Sequence, residues 1–85
     1  MEQEPKGFPK FGTGFEAEIA TPGQRLLLRS RVEEEGWWAQ IYDRQSGREL
    51  LHEEADNAED GKQKAEQVAR HLIPGSYDIE WEPLS

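Results

Sequence analysis

Cysteine is absent from this sequence, and with it go disulfide staples, thiolate metal ligands and thiolate nucleophiles. Stability must come from packing, and a reducing, cytoplasmic compartment is expected. Long apolar runs are missing as well: the longest span three residues, as in Leu26-Leu27-Leu28, and the opening Met1-Glu2-Gln3-Glu4 is acidic. Neither a membrane span nor an export leader is expected. Basic residues are the third shortage. Ten Lys and Arg face 18 Asp and Glu, a formal net charge of -8, which disfavours general affinity for a phosphate backbone. The deficit is uneven, because residues 1 to 48 hold 8 acids and 7 bases whereas residues 49 to 85 hold 10 acids and 3 bases.

What is present suffices for one small domain. At 85 residues the chain can bury only about 60 to 65% of its unfolded surface, so core area is scarce. Nearly every large apolar side chain must contribute. Residues 1 to 13 contain Pro5, Gly7, Pro9 and Gly12, too closely spaced for a regular element, and read as a tail preceding a single domain over residues 14 to 85. Phe8 and Phe11 lie within that tail. They are expected either to form a short linear motif for a partner or to fold back over a sheet edge or lie disordered.

From Phe15 the pattern has period two, with Phe15, Ala17 and Ile19 on one side and Glu16 and Glu18 on the other, which predicts a half-buried strand. Thr21-Pro22-Gly23-Gln24 predicts a hairpin turn of type II, with Gly23 at the position that needs positive φ. Continuing the ladder pairs Ile19 with Leu26, Ala17 with Leu28 and Glu16 with Arg29. A second turn at Glu33-Glu34-Glu35-Gly36 then pairs Val32 with Trp37, Ser30 with Ala39 and Leu28 with Ile41. Two hairpins thus agree on one apolar face, as a correct register requires. Arg44-Gln45-Ser46-Gly47 predicts a third turn with Gly47 left-handed, and Arg48 to about Glu54 a fourth strand. Leu50 faces the core if that loop has an even count, and Leu51 does if a bulge adds a residue.

Asp56-Asn57-Ala58-Glu59-Asp60 offers two overlapping helix caps, Asp56 with Glu59 or Asn57 with Asp60. Ala58, Gly61, Ala65, Val68, Ala69 and Leu72 follow at helical spacing, and Pro74-Gly75 stops the helix. The small residues place it close to the sheet, with Val68 and Leu72 as its main anchors. Residues 76 to 82 alternate again, Tyr77, Ile79 and Trp81 against Asp78, Glu80 and Glu82. The expected fold is therefore α+β: a twisted antiparallel sheet of four to five strands with one helix on one face. Placing the last strand beside the first gives order 5-1-2-3-4, and placing it beside the fourth makes a parallel pair.

Chemistry-bearing constellations are sparse. His52, Glu54 and Asp56 share a strand face at alternate positions, but Asp56 is better used as a helix cap, and no metal is assigned. The carboxylates come in runs, Glu33-Glu34-Glu35 in a turn and Asp78, Glu80 and Glu82 along a strand, where they serve solubility and edge protection. No phosphate loop or nucleophile-base grouping is present, so no enzyme, cofactor or catalytic residue is assigned. The face opposite the helix is the informative one. It gathers Arg29, Arg31, Trp38 and Tyr42 on adjacent strands, a composition suited to anchoring protein partners or stacking bases. Alternatively Glu16 neutralises Arg29, and Arg31 shields Trp38 through a cation–π contact.

The strand, helix and turn order over residues 25 to 72, with Trp37-Trp38 in one strand and the turn Ser46-Gly47-Arg48, resembles the small sheet domains at the N-termini of phage-type integrases. That resemblance implies DNA binding, but Glu49, Glu53 and Glu54 stand where basic residues would be expected, and no DNA-contact role is carried across. The expected function is a non-enzymatic protein-interaction or regulatory module. Its partner-binding residues would be Arg29, Arg31, Trp38, Tyr42, Phe8 and Phe11, and its partner another protein rather than a membrane. A nucleic-acid-binding domain using the same face is the alternative, and a structural or self-associating domain the third.

Overall fold

The computed structural model describes residues 13 to 34 and 36 to 84. Strands β1 (Gly14–Thr21), β2 (Gln24–Glu33), β3 (Gly36–Asp43) and β4 (Glu49–Ala55) precede helix α1 (Ala58–Leu72) and a short strand β5 (Glu82–Pro83). They form one antiparallel sheet in the order β4-β3-β2-β1-β5, with α1 packed on one face, so the last strand joins the first. Phe8 and Phe11 lie outside the described residues.

Alternation and turn chemistry set the register. Ile19 pairs with Leu26, Ala17 with Leu28 and Glu16 with Arg29; across the next hairpin Val32 pairs with Trp37, Ser30 with Ala39, Leu28 with Ile41 and Arg31 with Trp38. The first turn forms where expected, but Gly23 is not among the residues of positive φ, so the turn is not type II. Pro22 at its second position is equally at home in type I, which makes no demand on the following residue. Between β3 and β4 the ladder shifts at Ile41/Tyr42: Ile41 pairs with Leu51 and Tyr42 with Glu49, leaving Leu50 as the extra residue of a bulge. The bulge brings Leu51 to the core-side position opposite Ile41.

Ala17, Ile19, Leu26, Leu28, Ala39 and Ile41 from the sheet, Ala65 and Ala69 from the helix and its C-cap Ile73 form the core. Asn57 caps α1, its Oδ1 accepting from the Asp60 amide at 2.8 Å, while Asp60 Oδ2 accepts from the Asp56 amide at 2.9 Å. The helix approaches the sheet closely at Gly61, and the Ser30 hydroxyl donates to the Ala58 carbonyl at 2.8 Å. Leu72 is not an anchor: it is 40% exposed, and Ile73, 8% exposed, takes its place. The helix ends at Leu72, and Ile73 leaves helical geometry at φ -128°, ψ 89° with its side chain buried.

The last segment keeps its expected alternation but not its expected hydrogen bonds. Tyr77, Ile79 and Trp81 are half-buried against the core and Asp78, Glu80 and Glu82 are exposed, yet strand pairing is confined to Phe15 with Pro83 and Glu16 with Glu82. Side chains hold residues 76 to 81 to the helix instead. The Tyr77 hydroxyl donates to the Ile73 carbonyl, Arg70 Nη1 donates to the Tyr77 carbonyl at 3.0 Å, and Trp81 Nε1 donates to Glu66 at 2.7 Å.

Candidate functional site

One sheet face is closed by α1, and no second layer of described structure lies on the other. Period two then decides what that open face carries. Cross-strand pairs line up Glu82, Glu16, Arg29, Gln40 and His52 in a single row spanning all five strands. The row on one side is Gly14, Arg31, Trp38 and Glu54, and on the other Glu18, Leu27, Tyr42 and Glu49. Arg29, Arg31, Trp38 and Tyr42, chosen from the sequence, therefore do share one face.

Their contacts differ in part from expectation. Arg29 does meet Glu16, with Nε 3.5 Å from Oε1. The cation–π contact, however, is Arg29 over Tyr42 at 5.7 Å, and Trp38 packs instead on the His52 ring, the centroids 4.5 Å apart and tilted by 36°. His52 takes this place because Gln40 lies between it and Arg29 in the row, bringing the imidazole beside the indole of the neighbouring row.

Glu33 organises the centre. Its Oε1 lies 3.1 Å from His52 Nε2, its Oε2 accepts from Gln40 Nε2 at 3.1 Å, and its main-chain carbonyl accepts from Trp38 Nε1 at 3.2 Å. Burial alone would raise the Glu33 carboxyl. The hydrogen bonds from His52 and Gln40, with the nearby charges of His52 and Arg31, outweigh it and hold the group below the usual carboxylate range. At the far end, burial pushes the Tyr42 phenol up, and the Glu49 carboxylate beside it adds to the effect.

Beneath this layer Gln40 is 1% exposed. Its Oε1, together with Arg29 Nε and Arg31 Nε, is buried without a hydrogen-bond partner among the described residues. Two concavities flank the cluster. Glu33, Glu34, Gly36, Trp38 and Glu54 line one of about 380 Å³; Glu16, Glu18, Leu27, Arg44, Glu80 and Glu82 line much of another of about 300 Å³. The His52, Glu54 and Asp56 grouping does not form: His52 turns to Glu33 and Glu49, and the Asp56 amide is engaged at the helix start.

Glu33 and His52 are members of the face that the sequence reading does not include, whereas Gln40 falls on it as expected, opposite Arg29, though not among the expected binding residues. The place of His52 does not follow from the sequence, because the β4 register depends on the bulge. No helix among the described residues is long and apolar enough to cross a membrane. Compared with protein-family models, with curated proteins and with solved structures, the chain matches none.

Proposed function

We propose that this chain is a small non-enzymatic, cytoplasmic interaction module that recognises another protein through the sheet face left open by α1. The observation that carries this reading is Gln40, an almost wholly buried amide at the centre of that face whose Oε1 has no partner among the described residues. An unmet buried polar group costs about 1 to 3 kcal/mol, and a partner that displaces the side chains covering Gln40 and hydrogen-bonds its amide removes that cost. Trp38, Tyr42 and Arg side chains beside it are the groups that most often dominate protein recognition.

The titratable groups of the face argue for binding over chemistry. Glu33 hydrogen-bonds His52 and Gln40, and Glu16 pairs with Arg29, so the carboxylates at the centre of the face serve its own side chains. Nucleic acid is the rival occupant because of the arginines and aromatics, but Glu16, Glu33 and Glu54 on the same face repel phosphates. Affinity purification with the intact chain, Trp38→Ala and Arg31→Ala tests the reading. A protein captured by the intact chain in the presence of nuclease and lost with both variants, each still folded by circular dichroism, supports it. Retention by both folded variants, or release by nuclease, overturns it.

A further inference from the structure

The sheet order leaves two edges, and they are unequal. β5 offers two residues, one of them Pro83, which has no N–H to give. β4 offers seven, and no described strand pairs with its outer side. Backbone N–H and C=O groups on such an edge require partners and form a ready template for another strand. Helix α1 covers one face of β4 and reaches its backbone through Lys64, whose ammonium donates to the Glu54 carbonyl at 3.4 Å and pairs with Asp60 at 3.2 Å.

We propose that the outer edge of β4 is a docking site for an extended, basic segment of another protein, added to the sheet as a further strand. This surface adjoins the open face around Trp38 and shares Glu49, His52 and Glu54 with it, but it is built on the backbone edge of β4, and the proposal stands without that reading. Charge selects the occupant. β4 carries Glu49, Glu53 and Glu54, all exposed, and no Lys or Arg. Glu53 pairs with Ala39 on the helix side while Glu54 pairs with Trp38 on the open side, so both faces of the edge are acidic. A second copy of the chain, itself at -8, would crowd carboxylates around the new ladder, and like charges across a strand pair destabilise it. A strand with Lys or Arg opposite these positions gains where a second copy loses. Lys64 already rests an ammonium on one β4 carbonyl from within the chain.

The register specifies the segment. Reading along an antiparallel partner from opposite Glu54 to opposite Glu49, it wants two basic residues, one free position opposite His52, two apolar residues opposite Leu51 and Leu50, and a final basic residue. An end-capped peptide Lys-Lys-Thr-Val-Val-Lys meets that pattern. Titrated at low ionic strength into the isotope-labelled full chain, it should shift the backbone amide resonances of residues 49 to 55 and slow their hydrogen exchange. Glu53→Lys combined with Glu54→Lys, both at exposed positions, should weaken binding about tenfold or more and transfer it to Glu-Glu-Thr-Val-Val-Lys, which keeps its last lysine opposite the unchanged Glu49. Replacing the first valine by proline should abolish the shifts. Equal binding of the proline peptide, shifts confined to Arg29, Arg31, Trp38 and Tyr42, no shifts at all, or a dimer in sedimentation that protects the β4 amides would each overturn the proposal.

Discussion

Ser30 and Gly61 meet without room for another atom: a Cβ on residue 61 would fall 2.3 Å from Ser30 Oγ. The same hydroxyl donates to the Ala58 carbonyl one turn earlier, so a single sheet residue both bonds the helix and sets its distance. This contact decides which face of the sheet is closed and hence which is available.

Gly61→Ala should therefore cost about 1 to 3 kcal/mol by overpacking. Ser30→Ala should cost about 1 kcal/mol for the lost hydrogen bond. The double variant should lie well short of the sum, because removing the hydroxyl leaves the Ser30 Cβ, 3.1 Å away, as the nearest atom. Urea denaturation of the four proteins measures the coupling; strict additivity would contradict the packing described.

The helix C-terminus separates two neighbouring residues. Ile73→Ala should destabilise by about 2 to 5 kcal/mol as a buried truncation, whereas Leu72→Ala, at a position 40% exposed, should stay within about 0.5 kcal/mol. Thermal or urea midpoints of the two variants check this, and the reverse order would restore Leu72 as the anchor.

The Glu33 carboxyl is held below its unfolded value, so its contribution to stability is present above the unfolded glutamate range and is lost as pH falls through the folded value. The fold should weaken on acidification, and Glu33→Gln should flatten that limb of the pH profile. Denaturation at a series of pH values reads both. An unchanged profile in Glu33→Gln would mean that the contacts to His52 and Gln40 contribute nothing to folding.

Much of this architecture was legible because turn residues and alternation agree. Pro22-Gly23 and the run Glu33-Glu34-Glu35-Gly36 place the hairpins, and matching Ile19 with Leu26 and Val32 with Trp37 leaves only one register that keeps the oily side together. The gaps have physical reasons. A bulge at Leu50 adds one residue that periodicity does not reveal, so the row holding His52 does not follow from the sequence. Leu72 and Ile73 are equally apolar, and only the point where the helix stops tells them apart. Along residues 76 to 81 the alternation is real, but Arg70, Tyr77 and Trp81 supply hydrogen bonds that a strand would have taken from β1. Of the open face, the Arg29, Arg31, Trp38 and Tyr42 grouping followed from the register, while the long reach of Glu33 to His52 and Gln40 depended on side-chain conformation.

Site-specific photocrosslinking asks most directly whether the uncovered face binds a protein. A benzophenone amino acid placed at Tyr42, and in a second protein at Gln67 on the exposed side of α1, is irradiated in lysate and the adducts are identified by mass spectrometry. A discrete protein adduct is expected from position 42 that resists nuclease, disappears with Arg31→Glu, and has no counterpart from position 67. Identical adducts from both positions, or a nuclease-sensitive adduct at position 42, would contradict it.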